Sequence, residues 1–159
     1  PTAIYRLTPR TEPELLTLLD PGAADPHDPD ADVRDDPAAF DDVYRSGIGD
    51  IDVSNDGTRL FAVDLGRRAL VTVSLPSGDV IDRRLLTADA LGIGRCNAND
   101  AAPFGDLRPF GLGVTPDDRV LVGVVCSAES TVEPDRAIDD ERAFFSVEGC
   151  GGASAFGTV

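Results

Sequence analysis

Residues 48–86 read IGDIDVSNDGTRLFAVDLGRRALVTVSLPSGDVIDRRLL, and this stretch decides the fold. It contains four short runs rich in Val, Ile, Leu or Phe, and each gap between runs holds Gly, Pro, Asn or Asp. That pattern is typical of strands separated by tight turns. We therefore predict four consecutive strands, at residues 48–53, 59–64, 70–75 and 80–85.

Side-chain alternation within these runs favours strands over helices, because neighbouring residues of a strand point to opposite faces. In the first run, Gly49, Ile51 and Val53 are predicted to share one face, and Asp50 and Asp52 the other. Two further same-face sets are Phe61, Val63 and Leu65, and Val71, Val73 and Leu75. The Asp56-Gly57 pair predicts a hairpin turn, because Gly tolerates the positive φ that such turns require.

Four antiparallel strands in about 40 residues are the size of one β-propeller blade, and a blade needs neighbours to bury both of its faces. The pattern recurs about 60 residues further on, which is longer than a bare blade. Residues 53–63 match 114–124 position for position, and residues 49–51 lie opposite 110–112. The alternative is a pair of unrelated hairpins in another all-β fold.

The chain of 159 residues is short for a propeller, which usually has at least four blades. We expect an all-β segment of a larger propeller, although a small complete β-domain is the alternative. Residues 1–20 would supply two outer strands of a preceding blade, at 3–8 and 15–19, with a short helix as the alternative at 13–20. The remaining parts are an acidic loop at 21–45, a complete blade at 46–86, an insertion at 87–107, and most of a further blade at 108–159. The strands of this further blade are predicted at 110–114, 120–126 and 144–147.

The net charge of −15, with Arg as the only basic residue type apart from one His, excludes some partners. Nucleic acid and anionic membrane surfaces both require a basic face. No apolar run is long enough to cross a bilayer, so membrane insertion is not expected. A GC-rich genome and a salty habitat both explain the acidity, and the sequence does not separate them.

The acidic loop contains alternating carboxylates at Asp28, Asp30 and Asp32. Calcium prefers six to eight oxygen ligands, so these residues are candidate Ca²⁺ ligands, with Asp35 or Asp36 completing the shell. The loop is not an EF-hand, because Val33 and Ala39 stand where that motif needs Gly and Glu. The alternative is a solvated acidic loop without a bound ion. No other cofactor is implied.

The residues offer little support for catalysis. The three cysteines form no CxxC motif and the single histidine, His27, is far from them in sequence, which argues against a zinc site. The rest of the chain has no His and therefore lacks the commonest general base. No phosphate-binding Gly-rich loop and no GxSxG motif occurs. Asp50 and Asp52, with Asn55, could be metal ligands in a propeller channel, but carboxylates there also bond neighbouring backbone groups. We favour that structural role.

Three stretches together resemble a known family: residues 47–70, 105–114 (GDLRPFGLGV) and 120–130 (VLVGVVCSAES). They are similar to the propeller region of large bacterial secreted or cell-surface proteins that carry adhesin-like B-repeat or Ig-like modules. The resemblance covers about residues 24–145, and Leu107 stands where the family usually has Trp. The family places a Cys before its Arg-Pro motif, which implies a Cys96–Cys126 disulfide. Cys126–Cys150 is the alternative.

We interpret the three cysteines as structural, which implies an oxidising environment outside the cytoplasm. The resemblance likewise implies an extracellular or cell-surface location. We expect a non-catalytic propeller module that acts in binding, adhesion or structural assembly. Its partners would be other parts of the same protein or other protein chains, within a larger complex. The alternative function is a metal-dependent, lactonase-like propeller hydrolase with a metal in its central channel.

Overall fold

The computed structural model of the chain describes residues 2–19, 30, 45–92, 106–126 and 156–158. In these ranges the chain forms only strands and turns, and every strand pairing is antiparallel. The strands are β1 (Ala3–Arg6), β2 (Glu14–Leu18), β3 (Ile48–Val53), β4 (Arg59–Asp64), β5 (Ala69–Ser74), β6 (Val80–Leu85), β7 (Leu107–Val114), β8 (Val120–Cys126) and β9 (Phe156–Thr158). The expected all-β class is confirmed for the described residues.

The strands form three separate sheets, with the orders β1-β2, β3-β4-β5-β6 and β7-β8-β9. The central sheet is the predicted four-stranded antiparallel meander, in which each strand pairs with the next one along the chain. Only β5 departs from the prediction, beginning and ending one residue earlier. The turn between β3 and β4 contains Gly57 at a φ of 70°, which is the conformation that the Asp-Gly pair predicts.

Both faces of β4 and β5 are buried, so the central sheet lies between two apolar cores. One core joins β4 and β5 to β1 and β2; the other joins them to β8. The first contains Ile4, Leu19, Leu60, Ala62, Val71 and Val73; the second contains Phe61, Val63, Leu65, Leu70, Leu86, Val120 and Val122. Both predicted same-face sets of these strands are confirmed, with Leu75 packing against the first core.

The first two strands pack on the central sheet through backbone contacts as well as apolar ones. The guanidinium of Arg83 in β6 donates from Nη2 to the carbonyl of Leu19 at 2.8 Å and from Nη1 to Asp64 Oδ2 at 3.0 Å. Gly78, at a φ of 81°, meets the carbonyl of Leu16, where a Cβ has no room. The strand predicted at residues 15–19 is present at Glu14–Leu18, so the helix alternative is wrong there.

Three details of the prediction need correction. The register of β3 shifts between Ile48 and Ile51, and this bulge turns Gly49 towards β7 rather than to the face of Ile51. Strand β7 begins at Leu107, three residues earlier than predicted. The strand beside β8 is β9, in the place expected for residues 144–147, which lie outside the described residues.

Candidate functional site

The two aspartates that the sequence singled out lie where β3 passes alongside β7. Asp50 Oδ2 accepts the backbone N–H of Leu112 at 3.0 Å, and Asp52 Oδ2 accepts that of Val114 at 2.7 Å. The Oδ1 atoms accept the N–H of the following residue in β3, at 2.9 Å for Asp50 and 2.8 Å for Asp52. We call Asp50, Asp52, Leu112 and Val114 the β3–β7 junction.

The junction connects two sheets that share no strand ladder, because β3 and β7 belong to different sheets. The edge of a sheet exposes backbone N–H groups that need an acceptor. The two carboxylates provide it, and hydrogen bonds to an ionised acceptor are stronger than those between neutral groups. The aspartates therefore join neighbouring sheets at the position where a ladder is absent.

A close approach of the two backbones accompanies these hydrogen bonds. A Cβ at Gly49 would meet the carbonyl oxygen of Phe110 and come within 2.9 Å of Leu65 Cδ2. No such contact exists at Gly111 or Gly113, where a Cβ would meet nothing within 4 Å. Only glycine fits at position 49 without a shift of β7.

The contact continues into the turns that follow β3 and β7. The backbone N–H and the side-chain Nδ2 of Asn55 donate to Asp118 Oδ1, at 3.0 and 2.9 Å. Nδ2 also donates to the carbonyl of Thr115 at 2.8 Å. The Asn55 amide nitrogen therefore has a structural task, and Asp118 takes part in the same contact.

The two turns use the same set of hydrogen bonds. The hydroxyl of Ser54 donates to Asp56 and accepts the N–H of Arg59 at 3.0 Å. In the second turn Thr115 does the same with Asp117 and with Arg119, again at 3.0 Å. Thr115 in the second turn therefore corresponds to Ser54 in the first, Asp117 to Asp56, and Arg119 to Arg59.

This correspondence corrects the predicted alignment of the repeat. Upstream of the turn the offset is 61 residues, since the bulge at Ile48/Ile51 recurs at Pro109/Leu112. Downstream it is 60, because the second turn is one residue shorter and Arg119 replaces Arg59. Position-for-position matching is therefore wrong after the turn. The counterpart of Leu60 is Val120, and both are buried on the corresponding face.

The same hydrogen bonds perturb the titration of the turn aspartates. The hydroxyl of Ser54, then the backbone N–H and hydroxyl of Thr58, lower the pKa of Asp56 from 3.8 to about 2. The hydroxyl of Thr115 is the main cause that lowers the pKa of Asp117. Donors to a carboxylate stabilise its ionised form. Both side chains are therefore charged acceptors across the physiological pH range.

Within the described ranges, no group of three or more His, Cys, Asp or Glu side chains is arranged to hold a metal ion. Of the predicted calcium ligands, Asp30 is described and exposed, whereas Asp28 and Asp32 lie outside the described residues. The calcium site therefore stays a prediction. Cys126 ends β8, but Cys96 and Cys150 lie outside the description, so the disulfide also stays a prediction.

One buried polar group was missed in the sequence. Asp64 is 3% exposed, and its carboxylate pairs with Arg83 at 3.0 Å and with Arg67 at 3.6 Å. It also accepts the backbone N–H of Arg67 at 3.0 Å. The available signal was a carboxylate that ends a mostly apolar run, five residues before the apolar strand β5. Its main partner, in β6, is distant in sequence.

The chain matches no family model, no curated protein and no solved structure. In the part of the chain that the structure describes, no helix is long and apolar enough to cross a membrane.

Proposed function

We propose that the chain is part of a β-propeller. Strands β3–β6 make one complete blade, β1–β2 are the outer pair of the blade before it, and β7–β9 belong to the blade after it. The support is the stacking of the three sheets through two cores on opposite faces of β4 and β5. The recurrence of the bulge and of the serine or threonine turn supports the same arrangement.

We further propose that this propeller is a structural and protein-binding module rather than an enzyme. The observation that carries the proposal is the β3–β7 junction. Both of its carboxylates accept two backbone N–H groups each, so these side chains already serve the packing of neighbouring blades. An enzyme of the lactonase type needs channel carboxylates with oxygens directed at a metal ion.

The experiment compares Asp50→Ala and Asp52→Ala with Asp79→Ala, a control in the exposed turn before β6. If the aspartates are structural, the two junction variants unfold at a lower temperature than the control. Added Ca²⁺, Mn²⁺ or Zn²⁺ does not raise the unfolding temperature of the variants to that of the control. Asp52, which is half-buried, should contribute about 1.5–3 kcal/mol through its charge-assisted hydrogen bond. Metal-dependent turnover of a lactone or phosphoester that Asp50→Ala abolishes would refute the proposal.

The proposed setting is outside the cytoplasm, on a secreted or cell-surface protein that resembles the adhesin-associated propellers. The proposed partners are protein surfaces, from the same protein or from other chains, in a larger assembly. The acidic composition supports protein rather than nucleic-acid partners. Exported protein that carries a disulfide, compared with a reduced cytoplasmic preparation, tests the setting. Equal stability of the two would argue against it.

A further inference from the structure

The open edge of the central sheet is β6, which pairs only with β5 among the described residues. Two apolar side chains on it, Ile81 and Leu85, are 57% and 48% exposed, and between them lie the exposed Asp82 and Arg84. Asp82 and Arg84 share one face, because they stand two residues apart in the strand. The proposed propeller does not explain this edge, since the last strand of a blade lies farthest from the central channel.

Asp82 has the same local geometry as the carboxylates that join β3 to β7. Its Oδ1 accepts the N–H of the next residue, Arg83, at 2.8 Å, as the Oδ1 atoms of Asp50 and Asp52 do in β3. In β3 the second oxygen of each carboxylate reaches a neighbouring sheet. At the edge of β6, neither Oδ2 of Asp82 nor the guanidinium of Arg84 has a hydrogen-bond or ion-pair partner among the described residues.

The order of side chains along β6 is complementary to itself when it is read in reverse. From residue 81 to residue 85 it is apolar, acidic, basic, basic and apolar. In an antiparallel pair of β6 strands centred on Arg83, Asp82 of each copy faces Arg84 of the other. Ile81 of each copy likewise faces Leu85 of the other. Opposite charges and apolar pairs placed directly across two antiparallel strands are stabilising.

We propose that the open edge of β6 is the contact between two copies of this chain, related by a two-fold axis at Arg83. A two-fold contact uses one surface patch on both copies, so each attractive pair occurs twice. The contact runs through side chains, as at the β3–β7 junction, because the Arg83 N–H is already bonded to Asp82. The inference goes beyond the proposed function, since it names a second copy as a partner and uses no residue of the junction.

The two Arg83 side chains lie near the axis, but each is held and neutralised within its own copy. Nη1 bonds to the buried Asp64 at 3.0 Å, and Nη2 donates to the carbonyl of Leu19 at 2.8 Å. The net charge of −15 on each copy opposes association over longer distances. At an ionic strength of about 0.15 M the Debye length is about 8 Å, so distant charges are screened while adjacent pairs still attract. We therefore expect weaker association in dilute buffer than at this ionic strength.

The test reverses the charges one at a time and then together. Sedimentation equilibrium of the 159-residue chain in about 0.15 M salt should show monomers and dimers in equilibrium. Asp82→Arg and Arg84→Asp should each weaken the dimer by roughly tenfold or more, because two pairs change from attraction to repulsion. A mixture of the two variants should restore a dimer, since opposite charges then face each other in both pairs. The double variant, Asp82→Arg with Arg84→Asp, should dimerise alone for the same reason.

Two matched controls make the same kinds of change elsewhere. Asp79→Arg reverses a charge in the exposed turn before β6, and Val125→Asp adds one at an apolar β8 position that is 56% exposed. Neither should weaken the dimer, whereas Ile81→Asp should. A chain that stays monomeric, a mixture that restores no dimer, or equal effects of Ile81→Asp and Val125→Asp would overturn the proposal. The junction variants Asp50→Ala and Asp52→Ala are followed by thermal unfolding, so either proposal can fail without the other.

Discussion

Replacing Gly49 with alanine should destabilise the protein, because one methyl group at this position enters the space of a neighbouring sheet. The added Cβ would meet the Phe110 carbonyl oxygen and lie 2.9 Å from Leu65 Cδ2. Leu65 can move, but Phe110 contributes backbone, which can shift only with β7. The φ of Gly49 is not in the left-handed region, so the expected effect is steric rather than conformational.

The magnitude combines two opposing contributions. Overpacking of a close contact costs about 1–3 kcal/mol. The lower backbone freedom of alanine in the unfolded chain offsets about 0.4–1 kcal/mol of that cost. The net loss should be about 1–2 kcal/mol, which lowers the Tm of a chain of this length by about 2–8 °C.

The assay is thermal unfolding followed by circular dichroism, with Gly113→Ala as the matched control. Gly113 lies in β7, and a Cβ there would meet nothing within 4 Å. The control should unfold at the same temperature as the unchanged protein or slightly above it. If Gly49→Ala is as stable as Gly113→Ala, the close approach of β3 and β7 is wrong.

The other tests concern the buried Asp64, the turn aspartate Asp56 and the cysteines. Asp64→Ala should cost about 2–3 kcal/mol in urea unfolding, because it removes a buried acceptor from Arg83, and Asp64→Asn should cost less; no difference from Asp79→Ala would contradict this. Since folding lowers the pKa of Asp56 from 3.8 to about 2, its contribution to stability is present above pH 3.8 and is lost as the pH falls towards 2. Asp56→Asn should therefore be less stable at pH 5 and show a shallower loss between pH 4 and pH 2, and equal slopes would refute the assignment. Non-reducing peptide mapping should find Cys96 linked to Cys126, and free thiols at both would exclude that bridge.

The sequence predicted the central sheet well because each strand is short and ends at residues with strong turn preferences. Asp56-Gly57 and Pro76-Ser77-Gly78 determine where strands stop, and alternation shows which side chains share a face. Alternation does not reveal a bulge, so the direction of Gly49 was predicted wrongly. The second turn is one residue shorter than the first. The sequence did not reveal this difference in length, because apolar residues follow the turn in both copies.

The contacts between sheets were harder to predict, because they join residues about 60 positions apart. The sequence offered Asp50 and Asp52 as either metal ligands or acceptors of backbone groups, and only the position of β7 identifies the N–H groups that they bind. The same holds for Asp64, whose carboxylate meets Arg83 and, through it, the carbonyl of Leu19. Local patterns predicted the strands, whereas sheet packing determines the partners of their charged side chains.

The carboxylates of β3 bind the backbone of β7, and NMR can observe those hydrogen bonds directly. The measurement is the scalar coupling through the hydrogen bond between a backbone nitrogen and a side-chain carboxyl carbon. We predict a coupling from the Val114 nitrogen to Cγ of Asp52, across the 2.7 Å contact, and a weaker one from Leu112 to Asp50 across 3.0 Å. If the backbone couplings between β4 and β5 are observed and neither carboxyl coupling is, the junction does not exist as described.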